Sequence, residues 1–113
     1  MYTTIRRYSV AEGGNIGEIT RDIRENFLPL ISELPGFISY DVLDAGDRLA
    51  TVSVFETKEG AEESTRRAVE YVKQNPTLQR RLSKVGVTQG EVTLHKAAEH
   101  GSGPRTRGSR AAL

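Results

Sequence analysis

Hydrophobic and polar positions recur along the chain with two different periods. Four segments show the alternation and the Val, Ile, Thr and Tyr content that are typical of strands: residues 2–9, 37–44, 48–56 and 91–97. Residues 16–34 and 57–75 instead repeat apolar side chains at helical spacing. Residues 76–84 favour another turn or two of helix, since proline is accepted at the first helical position. The order strand, helix, strand, strand, helix, strand predicts an α+β fold: a ferredoxin-like βαββαβ unit, whose four-stranded antiparallel sheet has both helices on one face.

The ends of these elements carry local signals. Asn15 and Thr57 are predicted N-caps of the two long helices. Pro29 interrupts the first helix, and we expect it to remove one backbone hydrogen bond and bend the helix. Gly86 and Gly90 are predicted to bracket a loop before the last strand.

The strand alternation also predicts which side chains face the helices. We assign the more apolar sets, such as Val52 and Val54, to the helix side. A hairpin turn of odd length would pair Asp41 with Thr51. The opposite, uncovered face would then collect a mostly polar set: Arg6, Tyr8, Ser39, Asp41, Thr51, Ser53, Thr93 and His95, with Phe37, Leu43, Leu49 and Phe55 at its ends. A second copy of the sheet, related by a two-fold axis, is the simplest partner for such a face, and the two facing sheets would enclose a pocket.

Length and composition restrict the class of protein. The 113 residues fit one domain, and the absence of cysteine excludes disulfides, thiolate nucleophiles and cysteine-ligated metals. Two histidines do not provide a convincing metal site, and no phosphate-binding glycine motif is present. No apolar run is long enough to span a bilayer and the first residues do not resemble a signal peptide, so no membrane association and a cytoplasmic location are expected.

Charge separates a domain from a tail. Residues 97–113 contain three arginines and one glutamate among Gly and Ser, which predicts a disordered basic tail. Of the 16 basic and 15 acidic side chains, 13 and 14 remain in residues 1–96, which form the predicted domain. A domain with a net charge of −1 is not expected to bind nucleic acid.

Several stretches resemble the antibiotic-biosynthesis-monooxygenase-like family of dimeric α/β-barrel proteins: "RRY", "LPGFISYDVLD", "VSVFE", "AEESTRRAVEYV" and "GEV". The similarity covers roughly residues 2–96. It implies a homodimer of ferredoxin-like subunits whose sheets face each other in a dimeric α/β barrel. Family members include cofactor-independent oxygenases of polycyclic aromatic substrates and haem-degrading enzymes. The chain has no tryptophan, and neither His95 nor His100 lies in the second helix, so the haem-degrading type is disfavoured.

The resemblance leads to candidate site residues for oxygenation without a cofactor or metal. Arg6 would hold a substrate anion, and Asp41 or His95 would accept a proton. The candidate ligand-binding residues are Tyr8, Ser39, Thr51, Ser53 and Phe55. Structural roles remain open for the same residues: an interfacial ion pair of Arg6 with Asp41, a surface histidine, cross-strand hydroxyl pairs, or a packed interface tyrosine.

The sequence therefore leads to two hypotheses about the function of the protein. The first is a cofactor-independent monooxygenase acting on a small aromatic or polyketide-like compound in a pocket between two sheets. The second is a non-catalytic dimeric barrel that binds a small hydrophobic ligand or serves a structural or stress-associated role. Oxygen consumption distinguishes the two.

Overall fold

The computed structural model describes residues 1–98, which form one sheet and a layer of helices. The strands are β1 (Tyr2–Val10), β2 (Phe37–Asp44), β3 (Arg48–Phe55) and β4 (Leu82–Glu91). The α-helices are α1 (Ile16–Asp22), α2 (Leu28–Ser32), α3 (Lys58–Lys73) and α4 (Pro76–Arg81), and a π-helical segment (Ile23–Phe27) joins α1 to α2.

The strands lie in the order β2-β3-β1-β4, and every neighbouring pair is antiparallel. This order, with the first long helical region between β1 and β2 and α3 between β3 and β4, is the ferredoxin-like arrangement. The predicted fold class is therefore confirmed.

Local signals predicted the helix ends well. The Asn15 side chain accepts a hydrogen bond from the Glu18 N–H (3.0 Å), and the Thr57 hydroxyl accepts one from the Gly60 N–H (3.1 Å). Both predicted N-caps are confirmed.

The helix interruption expected at Pro29 is present as the π-helical segment that ends two residues before it, whereas the bend itself stays a prediction. Pro29 has no N–H to donate, and just before it the Leu28 N–H donates to the Ile23 carbonyl five residues back. The hydrogen-bonded turn just before the proline therefore contains one residue more than an α-helical turn, as in other π-bulges within α-helices.

The last strand lies earlier in the chain than predicted. Residues 82–91 form β4, so the predicted loop between Gly86 and Gly90 is wrong, and residues 92–98 form no regular element. A register irregularity between Arg7 and Tyr8, where β1 meets β4, shifts the alternation within this strand. Because of that shift, the alternation of apolar and polar residues in the sequence did not reveal this strand.

The predicted β2–β3 register is wrong by one residue. Val42, not Asp41, pairs with Thr51. The Ala45 N–H donates to the Arg48 carbonyl (3.0 Å), which leaves a two-residue loop in place of the predicted odd-length turn. Gly46, the first loop residue, has φ of 87°, as a type II′ turn requires.

The predicted faces of β1 and β3 are consequently wrong as well. Leu49, Thr51, Ser53 and Phe55 are buried on the helix side, together with Thr4 and Arg6 from β1. We call the other surface the open face; its side chains include Thr3, Ile5 and Arg7 from β1, Ala50, Val52 and Val54 from β3, and Ser39, Asp41 and Leu43 from β2. The error arose because Val52 and Val54 are more apolar than Thr51 and Ser53, although the latter lie under the helices.

The core lies between the helices and the helix side of the sheet. Its central buried side chains are Ile19, Ile23, Phe27, Ile31, Leu49 and Leu78. The first four recur at helical spacing, so α1, the π-helical segment and α2 present one continuous apolar stripe to the sheet.

The predicted basic tail falls almost wholly outside the described residues, since the description ends at Ala98. Within residues 1–98, no helix has both the length and the apolar character needed to cross a membrane.

Candidate active site between the third helix and the sheet

A cleft of about 500 Å³ lies between α3 and the β1–β4 half of the sheet, and we call it the helix-face cleft. This volume falls within the range of about 300–1,000 Å³ that is usual for small-molecule sites. Its apolar wall consists of Ala68, Val69, Val72, Leu82 and Val87. Val69 and Val87 are 50% and 41% exposed, so a substantial part of this apolar surface is accessible to a ligand.

The pairing of β1 with β4 shows where the polar side chains lie along the cleft. On β4, Val87 lies opposite Arg6 and Lys84 lies opposite Tyr8. On α3, Thr65 contacts Arg6, and Lys73 lies two turns nearer the carboxyl end of the helix. The cleft thus has an Arg6 end and a lysine end, with apolar side chains between them.

Arg6 is a buried cation with no acidic partner in the described structure. It is 6% exposed, and its guanidinium donates a hydrogen bond to Thr65 Oγ1. The Thr65 hydroxyl in turn donates to the Ala61 carbonyl (3.2 Å), which orients its oxygen as an acceptor for Arg6. None of the ion pairs formed within residues 1–98 involves Arg6. A buried charge without a counter-ion is costly, and such sites are typical places for a ligand to supply the missing charge.

The other charged residues of the cleft have the same sign. Lys73 and Lys84 line it, while no Asp, Glu or His of residues 1–98 does so. Two glutamines, Gln79 and Gln89, complete the polar lining. Three cations beside an apolar wall favour an amphipathic anion over a neutral or cationic ligand.

A small cavity of about 30 Å³ adjoins the cleft, and Arg6, Tyr8, Ala68, Val72 and Leu82 line both. Three aromatic side chains, Phe27, Tyr40 and Tyr71, form part of the cavity lining. Phe27 stacks on Tyr71 with ring centroids 5.1 Å apart and meets Tyr40 edge-on at 5.9 Å. The cavity is large enough for about one water-sized molecule.

Burial keeps the tyrosines of this region in their neutral form. It raises the pKa of Tyr40 to about 12, against a smaller opposing effect of the Thr51 hydroxyl. It also raises the pKa of Tyr8, although the nearby Arg6 charge acts in the opposite direction. At neutral pH both phenols are therefore hydrogen-bond donors and not bases.

A separate polar network fixes the outer side of Tyr71. Its hydroxyl donates to Asp22 Oδ1 (2.6 Å), and Asp22 also accepts hydrogen bonds from Asn26 (2.9 Å) and Asn75 (3.1 Å). Partial burial acts to raise the pKa of Asp22, but the three hydrogen bonds together outweigh it and lower that pKa. This network connects the first helical region to α3 and α4.

The structure brings only some of the predicted site residues together. Arg6 and Tyr8 line the cleft, and Thr51 lines the adjoining cavity. Asp41 is exposed on the open face, so the predicted ion pair with Arg6 does not form. His95 is exposed in the segment after β4.

The remaining candidates lie away from the cleft. Ser39 is half-buried on the open face, whereas Ser53 is buried on the helix side. The Ser53 hydroxyl has no hydrogen-bond partner among the described residues. Phe55 is fully buried and packs edge-on against Phe37, with ring centroids 5.7 Å apart.

Among the residues that sequence reasoning missed are the partner of Arg6 and both lysines of the cleft. Thr65 lies in the second predicted helix, and nothing in the sequence indicates that its hydroxyl accepts a hydrogen bond from Arg6. Lys84 was missed because β4 was expected later in the chain. Lys73 was missed because a lysine in the last turn of a helix is ordinary on sequence grounds.

No protein-family model and no curated protein sequence matches the chain. Solved structures do resemble it. The cofactor-independent oxygenase SnoaB from Streptomyces nogalater is 12% identical with a TM-score of 0.63, covering 83% of this chain and 94% of its own. A proposed antibiotic biosynthesis monooxygenase from Nitrosomonas europaea is 17% identical with a TM-score of 0.64, covering 83% and 100%.

A dimeric ferredoxin-like protein from an uncultured marine organism is 12% identical with a TM-score of 0.68, covering 86% of this chain and 98% of its own. At these identities the likeness concerns the fold alone. The chain has the ferredoxin-like fold of antibiotic biosynthesis monooxygenase-like proteins.

Proposed function

We propose that the protein is a cofactor-independent monooxygenase that oxidises a small aromatic or polyketide-like phenol or enol, bound as its anion beside Arg6 in the helix-face cleft. The observation that carries the proposal is the buried Arg6 guanidinium, which has no carboxylate partner among the described residues and faces an open apolar cleft. The fold shared with SnoaB, an oxygenase that works without a cofactor, supports the same reaction class.

The substrate supplies all the electrons of this reaction. Its anion transfers one electron to dioxygen, and a carbon–oxygen bond then forms to give a peroxide. Loss of the ring hydrogen as a proton and cleavage of the O–O bond leave a quinone carbonyl and one water. A phenol and one dioxygen thus become a quinone and water, with no external reductant.

The described residues of the cleft can stabilise the substrate anion, but none of them is suited to accept the substrate's proton. No histidine or carboxylate of residues 1–98 lines the cleft, and Tyr8 of the cleft and Tyr40 of the adjoining cavity stay protonated at neutral pH. A nearby cation lowers the pKa of a bound acid, so Arg6 favours the ionised phenol or enol. We infer that the substrate releases its proton to solvent, which restricts it to acidic phenols and enols.

Oxygen uptake with a panel of hydroxynaphthalenes and hydroxyanthraquinones tests this function. Arg6→Met keeps an unbranched apolar side chain but removes the charge, and Arg24→Met is the matched control on an exposed helical surface. We expect at least a hundredfold loss of kcat/KM in Arg6→Met, the usual effect of removing one group that stabilises a developing anion. Arg24→Met should behave as wild type. Absence of oxygen uptake by the wild-type protein with every compound would refute the proposed reaction.

The lack of a base in the described cleft favours one alternative, a non-catalytic protein that binds a small anionic aromatic ligand. This alternative predicts that a compound of the panel raises the melting temperature of wild type, and not of Arg6→Met, without any oxygen consumption. Consumption of oxygen with release of a quinone excludes it.

We also propose that the active form is a homodimer joined through the open faces. Ile5, Val52 and Val54 form an apolar centre there, and Leu43 beside it is 48% exposed. Apolar sheet surface of this kind usually has a partner, and one structural neighbour is described as dimeric. Light scattering should give twice the chain mass of 12.5 kDa; a monomer at micromolar concentration would contradict the proposal.

A further inference from the structure

The charged residues at the two ends of the helix-face cleft differ in how exposed they are to solvent. Arg6 is 6% exposed, and we call its end of the cleft the inner end. Lys73 and Lys84 are exposed, and we call their end the outer end. Between the two ends the lining is largely aliphatic. A ligand with one acidic group would leave one of these ends without a partner.

The spacing of the two ends follows from the elements that carry them. On the sheet, Arg6 and Tyr8 are separated by about 7 Å along β1, and Lys84 lies opposite Tyr8 on the next strand, roughly 5 Å away. On the helix, Lys73 follows Thr65, the partner of Arg6, by about 12 Å along the axis. Measured between backbones, both walls of the cleft therefore place a lysine roughly 8–12 Å from Arg6 or from its partner Thr65.

The two lysines converge on the same end of the cleft. The Gln79 side chain of α4 donates hydrogen bonds to the Val72 carbonyl (2.8 Å) and the Lys73 carbonyl (3.1 Å), which holds α4 against the end of α3. The chain then enters β4 directly, and Lys84 is its third residue. In the described structure neither lysine forms an ion pair, so both ammonium groups are available to a ligand.

We propose that the ligand of this cleft carries a second acidic group, a carboxylate, at the end opposite its phenol or enol, and that Lys73 and Lys84 recognise it. This inference rests on the proposed function, because it assigns the inner end to the phenol or enol. It narrows the substrate class to flat, apolar ring systems with acidic groups at both ends. Lys73 and Lys84 are then specificity-determining residues that take no part in the oxidation.

The experiment compares three ligands under anaerobic conditions by isothermal titration calorimetry, so that no turnover is needed. They are 2-naphthol, 6-hydroxy-2-naphthoate with its two groups at opposite ends, and 3-hydroxy-2-naphthoate with the same groups adjacent. We expect 6-hydroxy-2-naphthoate to bind wild type about tenfold more tightly than either other ligand, with a preference that falls as salt screens the lysines.

Variants assign that preference to its residues. The double variant Lys73→Gln/Lys84→Gln should lose the preference for 6-hydroxy-2-naphthoate and bind 2-naphthol as wild type does. Lys58→Gln, at the other end of α3, is the matched control and should keep the preference. Arg6→Met should weaken the binding of all three ligands.

The outcomes separate this inference from the proposed reaction. Equal binding of the three ligands, a preference that survives in the double variant, or failure of all three to bind wild type overturns the carboxylate assignment. Binding in the expected order without oxygen uptake by any substrate leaves the assignment in place and refutes the monooxygenase. Oxygen uptake that depends on Arg6, without any preference for the carboxylate ligand, supports the monooxygenase and refutes the carboxylate assignment.

Discussion

At the scale of single residues, several polar side chains are buried under the helices, and one of them, Arg6, defines the candidate site. Thr4, Arg6, Thr51, Ser53 and Ser64 are all buried there, where apolar side chains would give a more ordinary core. Arg6 was selected from the sequence for its chemistry, and the structure places it in a cleft. Its partner Thr65 was beyond prediction, because a hydrogen bond between a strand and a helix distant in sequence depends on packing.

The hydrogen-bonded carboxylate of Asp22 provides a pH-dependent test of packing. Its pKa is lowered in the folded protein, so the ionised form stabilises the fold at pH values above the ordinary aspartate pKa of about 3.9. This stabilisation is lost as the pH falls through the lowered pKa. We expect Asp22→Asn to reduce the free energy of unfolding by about 1–2 kcal/mol at pH 7, and by less at pH 3.

Urea unfolding at the two pH values measures the effect of Asp22→Asn. Asp47→Asn, an exposed loop residue, is the control and should match wild type. A cost of equal size at pH 7 and pH 3 would show that the ionised Asp22 carboxylate is not what the network stabilises.

At the scale of elements, the helix caps predicted from local signals are confirmed, whereas the predicted loop at Gly86 and Gly90 and the predicted faces of β1 and β3 are wrong. The caps at Asn15 and Thr57 depend on a few consecutive residues, and both are present. The faces of β3 depend on what covers each side. Alternation alone does not distinguish a side covered by helices from a side that meets a partner. Val52 was therefore assigned to the wrong face.

The turn between β2 and β3 determines that register, and Gly46 is its sensitive residue. Its φ of 87° is strained for any residue with a Cβ atom. We expect Gly46→Ala to cost about 1 kcal/mol of stability in urea unfolding. Gly90→Ala is the control, because a Cβ there meets no atom within 4 Å and the backbone is not in the left-handed region. If the two substitutions cost the same, the turn conformation is not what selects glycine at position 46.

At the scale of the whole molecule, the two sides of the sheet serve different purposes. The helix side holds the core and the cleft with its three cations, whereas the open face presents Ile5, Val52 and Val54. The pocket between two sheets stays a prediction, and within the described residues a cleft lies between α3 and the sheet. A pocket of this kind could not be located from sequence, because it depends on how far α3 stands from β4.

The most direct test of the central claim is where a hydroxyaromatic anion binds. Intermolecular nuclear Overhauser effects between 6-hydroxy-2-naphthoate and the valine and isoleucine methyl groups of the protein measure this. Binding in the helix-face cleft predicts contacts to the methyl groups of Val69 and Val87. Contacts to Ile5, Val52 and Val54 instead, from a ligand held between two open faces, would contradict it.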